Sequence, residues 1–240
     1  MHAESRLPIP APSVGFRPEF LDFRRGIHVG NLEDNERITR ILKLALESRY
    51  QQAFVTERWG RGVYWQWIGY LPRANRLAKP ISHGASFACS KLFVAVDTGE
   101  RLFKCGLQVE RGYLKSSREH ETWKLCSDWD WQRLMKALKQ GSAMERELKR
   151  LLLREGFKIR VGSWDAEPVY LTKKNFRGVL ELNKLLRAAP SNEWACFQVF
   201  YSMDEDEVRS STGLDLVESM LAVFDEVTPV MNLCMQIDLT

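Results

Sequence analysis

Between Arg58 and Lys79 the chain reads RWGRGVYWQWIGYLPRANRLAK, with five cations and no acid in 22 residues. The cations are Arg58, Arg61, Arg73, Arg76 and Lys79, and the rings among them are Trp59, Tyr64, Trp65, Trp67 and Tyr70. Proteins that hold single-stranded nucleic acid combine a cationic track for the backbone with aromatic faces for the bases, each stacked base contributing about 1–3 kcal/mol. The pattern nominates Arg58, Trp59, Arg61, Arg73, Arg76 and Lys79 as ligand-binding residues. Tryptophan and tyrosine are also good strand and core residues, so most of the five rings are expected to pack. Period two puts Trp65 and Trp67 on one strand face and Tyr64 and Tyr70 on the other. The stretch 73–80, with Arg73, Arg76 and Lys79, is expected to be exposed.

Groups suited to acid–base chemistry are few. His83 stands in a loop that enters a strand, where an imidazole can serve as a general base, although an ordinary loop histidine meets the same description. Gln108 and Glu110 share a strand face by period two. Metal-dependent nucleases place an acid at one strand end and an acid-x-Lys on the next strand, so that carboxylates hold the cation and lysine orients water. Here Asp97 ends one strand, but Gly112, not lysine, stands two residues after Glu110. Asp97 also lies by the hairpin turn, about ten residues from Glu110, too far at about 3.4 Å per residue for both to hold one ion. His83, Gln108 and Glu110 are the catalytic candidates that remain.

The four histidines, His2, His28, His83 and His120, form no HExxH, so no metal site is expected. Phosphate-loop, dinucleotide and nucleophile-elbow patterns are absent, and no cofactor is expected.

The elements that must position these residues follow from periodicity. Residues 1–20, with Pro8, Pro10 and Pro12, read as a proline-rich arm whose apolar residues lie partly on the body. Ile38, Ile41, Leu42, Ala45 and Leu46 predict a helix over 35–50 with Asp34 as its N-cap. Strands are expected over 52–57, 62–70, 87–96 and 101–113, the last two joined by Asp97-Thr98-Gly99-Glu100. In the last of them Phe103, Cys105, Leu107 and Val109 should be buried, and the alternate residues wetter. Helices follow over 129–140 and 143–155, then a hairpin of 157–161 and 169–171. A helix over 174–188, an interior strand over 194–201 and a helix over 214–224 complete the order. Pro229 is expected to break that last helix, with a short one after it. This order does not alternate strand and helix, so it predicts an α+β fold: a mostly antiparallel sheet with helices on one face. Residues 21–240 are expected to form a single domain, with two subdomains sharing the sheet and a boundary near 116–127 as an alternative.

Composition sets the outer bounds. Of 240 residues, 45% are hydrophobic and 28% charged, ordinary for a globular protein. The five cysteines are odd in number, widely spaced and free of CxxC, which predicts buried thiols in a reducing compartment. No apolar run approaches the ~20 residues of a membrane helix. A cytoplasmic protein without a membrane partner is expected. Residues 1–120 carry 19 Lys/Arg against 12 Asp/Glu, while residues 202–240 hold nine acids against Arg209 alone. A basic front and an acidic end suit two partners, nucleic acid at 58–79 and a protein at the acidic end, and equally suit complementary surfaces within a fold or oligomer or a solvated dipolar surface.

Three functions stay open on these grounds. The first is a non-catalytic binding protein that contacts nucleic acid through 58–79. The second is a metal-dependent hydrolase or nuclease using His83, Gln108 and Glu110. The third is a structural or assembly subunit.

Overall fold

The computed structural model describes residues 15–78, 89–112, 129–163, 167–191 and 193–240. Nine strands and seven helices are described. A 3-10 turn at Pro18–Phe20 leads into β1 (Leu21–Asp22) and β2 (Gly26–His28). Then come α1 (Ile38–Tyr50), β3 (Phe54–Arg61), β4 (Tyr64–Pro72), α2 (Arg73–Leu77), β5 (Lys91–Asp97) and β6 (Leu102–Arg111). The second half contains α3 (Asp130–Ala137), α4 (Ala143–Leu153), β7 (Lys158–Ser163), β8 (Val169–Leu171) and α5 (Val179–Ala188). It ends with β9 (Ala195–Asp204), α6 (Glu205–Ser210) and α7 (Gly213–Cys234).

All nine strands join one antiparallel sheet in the order β1-β2-β4-β5-β6-β9-β7-β8, with β3 on the other side of β4. This is the α+β arrangement that the periodicity predicts. β6 and β9 pair along ten residues, from Leu102↔Asp204 to Arg111↔Ala195, so the two halves of the chain share the sheet. β3 is an edge strand, and its outer side meets no strand among the described residues.

The helices cover one face. Phe103, Cys105, Leu107 and Val109 of β6 join Ile68 and Tyr70 of β4 and Leu92 and Val94 of β5 in the core. α7 crosses this face with Leu216, Met220, Phe224, Val227 and Met231 buried, and packs on β6, α3 and α4. The expected break at Pro229 does not occur, because α7 continues through it to Cys234. An interior proline costs a helix about 3 kcal/mol. Burial of Val227, Val230, Met231 and Cys234 on both sides of it offsets that cost. The Thr228 hydroxyl adds a bond to the Phe224 carbonyl, 2.7 Å, and meets Tyr50 Oη at 2.8 Å.

The other face departs from expectation as well. Lys104, Gln108 and Glu110, assigned by alternation to the wetter side of β6, are buried. A second interior of the sheet therefore contains charge, and charge in an interior must be paired. Helix α6 has no apolar stripe to announce it. It rests on a reciprocal cap, in which Asp204 accepts from the Glu207 amide and Glu207 from the Asp204 amide. No described helix is long and apolar enough to cross a membrane.

Candidate binding groove and the buried lysine network

The basic–aromatic segment folds into the β3–β4 hairpin and α2, and the hairpin contains a bulge. Trp59 pairs with Trp67, but the next residue, Gly60, pairs with Trp65, so Gln66 is an extra residue on β4. One extra residue reverses the alternation beyond it. Trp65 and Trp67 therefore lie on opposite faces, not on the shared face that period two predicts. Tyr64 and Tyr70 separate for the same reason. Tyr70 is wholly buried in the core, with its hydroxyl on the Ile38 carbonyl at 3.3 Å. Tyr64 stacks on His28 at 4.9 Å, and the Arg25 guanidinium covers it at 4.1 Å. Gly60 permits the bulge: its φ is +153°, and a Cβ there would lie 2.4 Å from the Trp65 Cα.

On the α1 side of the hairpin, Trp65 meets Arg58, whose guanidinium lies 4.2 Å from the ring centroid. Together with α1 these residues line a shallow groove of about 320 Å³. Arg37, Thr39, Arg40 and Lys43 line it from α1 and its cap; Thr56, Arg58 and Trp65 line it from the hairpin. Four of the seven are cations and none is an acid. Two acids stand at its margin. Asp34 lies 3.6 Å from Arg37 and 3.9 Å from Arg40, and Glu47 lies 3.7 Å from Lys43. Asp34 is thus an ion-pair partner and not the expected N-cap; the cap is Arg37, without a side-chain bond to the helix.

The opposite side of the hairpin tip carries Trp59 and Arg61. Trp59 is 68% exposed, and Arg58 and Arg61 are exposed with it. Arg73 and Arg76 are exposed on α2, at the other end of the hairpin. Arg61 pairs with Tyr64 at the tip and Phe54 with Pro72 at the base. Seven residues of strand, roughly 24 Å, separate these ends. The structure places Trp59 and Arg61 on one face of the hairpin tip and Arg58 on the other, and sets Arg73 and Arg76 apart. Lys79 and His83 lie outside the described residues.

Gln108 and Glu110 come together in the network on the buried second face. The Lys91 ammonium bonds to Glu110 Oε2 and lies 3.3 Å from Glu57 Oε2, with the Trp67 ring centroid 5.5 Å away. Gln108 Oε1 accepts from Trp67 Nε1 at 3.1 Å and from Gln198 Nε2 at 2.6 Å. Burial pulls the Lys91 ammonium down, but the charges and hydrogen bonds of Glu110 and Glu57 outweigh it and hold the group above the usual lysine range. Two carboxylates converge here, yet the lysine lies where a cation between them would sit. Among the described residues no group of three or more His, Cys, Asp and Glu is placed to hold a metal ion.

A second lysine repeats the arrangement further along the same face. Lys104 Nζ donates to Asp97 at 2.8 Å and to Glu100 at 2.7 Å, and Tyr170 Oη donates to Glu100 at 2.9 Å.

Arg37, Arg40, Lys43, Glu57 and Lys91 are functional candidates that the sequence reading passes over. For the first three a signal exists: a spacing of three on the polar side of a helix whose apolar side alone defined it. No protein-family model matches the chain, and no curated protein matches it in sequence.

Proposed function

We propose that the protein is a non-catalytic binding protein for single-stranded nucleic acid, held on the β3–β4 hairpin. The backbone lies against Arg58 and Arg61, and a base stacks on Trp59. One observation carries this reading. Trp59 is 68% exposed, on an edge strand, between two exposed arginines. An exposed indole offers a flat apolar face on which a ligand ring can stack. A nucleotide supplies a flat base for the ring and a backbone phosphate for the two arginines.

The test is an anisotropy titration with a labelled oligothymidylate at low and at high salt. Saturable binding that weakens with salt is expected for the wild type. Trp59→Ala should weaken it about tenfold, within the 1–3 kcal/mol typical of one stacked base. A wild type that gives no signal at low salt overturns the reading.

A further inference from the structure

We propose that the groove between α1 and β3 is a phosphate seat, formed by Arg40 and Lys43 of α1 and Arg58 of β3. Thr39 and Thr56 supply hydroxyls to the same group. The idea rests on the nucleic-acid reading for the source of that phosphate, but its geometry is independent of Trp59, which lies on the other face of β3.

The charge balance is the first argument. Arg37, Arg40, Lys43 and Arg58 bring four positive charges to a groove of about 320 Å³, and the two nearby carboxylates, Asp34 and Glu47, do not line it. An excess of two charges suits a phosphate group or two adjacent phosphodiesters better than one carboxylate.

The second argument is preorganisation. Arg58 is held over the Trp65 ring, 4.2 Å from its centroid. Arg37 donates to the Leu32 carbonyl at 2.7 Å, and its Nε is sheltered without a hydrogen-bond partner. A guanidinium already fixed in place loses less freedom when it binds an oxyanion. The third is the dipole of α1. Arg37 caps this 13-residue helix, and no acid occupies its first turn. No acid of the helix itself opposes its positive end, which lies beside the groove.

The seat and the stacking residue occupy opposite faces of one edge strand. A single strand that crosses the hairpin tip reaches both, with a phosphate in the groove and a base on Trp59. This assigns separate roles to neighbouring residues: Arg58 reads charge and Trp59 reads rings.

Isothermal titration with inorganic pyrophosphate, and anisotropy with oligothymidylate, separate the possibilities. The variants are Arg40→Gln with Lys43→Gln, both on the helix surface, and Trp59→Ala. Thermal melts check that each folds. The expected result is a loss of oligonucleotide affinity of tenfold or more in the groove variant. Its slope of log K against log salt should fall by about 1.4, two single-strand contacts. Trp59→Ala should lower affinity and keep the slope. An oligonucleotide with neutral methylphosphonate linkages should lose the groove contribution. If Trp59→Ala weakens binding while the groove variant leaves affinity and slope unchanged, the seat is overturned and the nucleic-acid reading stands. If pyrophosphate binds the wild type and not the groove variant while no oligonucleotide binds, the seat stands with a free phosphate as its ligand. Binding of neither probe overturns both.

Discussion

The Arg58 guanidinium lies 4.2 Å above the Trp65 ring on the α1 side of β3, while Trp59, one residue on, projects from the opposite side into solvent. The bulge at Gly60 makes this possible. Without it Trp65 would share a face with Trp67, under Lys91, and Arg58 would lose its platform. Gly60→Ala should therefore damage both stability and the groove. A Cβ meets the Trp65 backbone, and φ of +153° is a region that side chains rarely adopt. Strain of this kind costs about 1–3 kcal/mol. The melting temperature should fall by several degrees, and oligonucleotide affinity should fall in the material that remains folded. An unchanged melting curve would show that the hairpin relaxes around the new methyl group.

A second prediction concerns which cations of the segment act together. Arg58 and Arg61 sit at the hairpin tip, and Arg73 and Arg76 sit beyond its base. Exposed charges more than a Debye length apart, about 8 Å at physiological salt, act nearly independently. Arg58→Gln with Arg61→Gln should reduce oligothymidylate affinity about tenfold. Arg73→Gln with Arg76→Gln should change it less than twofold. Equal losses in the two pairs would mean that the ligand runs the length of the hairpin.

The fold was more legible than the site, for a physical reason. Period-two alternation in Phe103, Cys105, Leu107 and Val109 and helical spacing in Ile38, Ile41, Leu42 and Leu46 report burial directly, and these elements appear where they are expected. Pro229 misled because a local cost was weighed without the packing of both ends of α7. Trp65 and Trp67 misled because a one-residue insertion on a strand leaves no mark in composition. β1 and β2 are too short to show a period. The groove draws its cations from two segments about 20 residues apart, and only the pairing of α1 with the hairpin brings Arg40 to Arg58.

The buried network offers a prediction that bears on catalysis. Lys91 neutralises Glu110 and Glu57 in a site largely closed to water. Lys91→Met leaves two carboxylates without their cation and should destabilise the protein by about 3–5 kcal/mol. Glu110→Gln leaves Lys91 with Glu57 and should cost less. With the ammonium already between the carboxylates, millimolar Mg²⁺ should leave the wild-type melting temperature unchanged. A rise with Mg²⁺ that vanishes in Glu110→Gln would instead favour a metal-dependent hydrolase.

The same face contributes to the dependence of stability on pH. Burial pushes the Asp97 carboxyl up, but the Lys104 hydrogen bond and charge and the Glu100 and Gly99 amides bring it below the usual aspartate range. A carboxyl depressed in the folded state stabilises above its unfolded pKa, and that contribution disappears as pH falls through the folded value. Burial pulls Lys104 down, and its bonds to Asp97 and Glu100 more than restore it, so it ends above the usual lysine range. A raised lysine stabilises below its unfolded pKa and loses the contribution as pH rises through the folded value. Asp97→Asn should therefore flatten the acid limb of a plot of melting temperature against pH and shorten the alkaline one, because Lys104 keeps only Glu100. Lys104→Met should remove the alkaline contribution of that pair and return Asp97 toward ordinary acidity. If Asp97→Asn lowers the whole curve by a constant amount, the residue acts through turn geometry, its bonds to the Gly99 and Glu100 amides at 3.1 and 3.0 Å, and not through its charge.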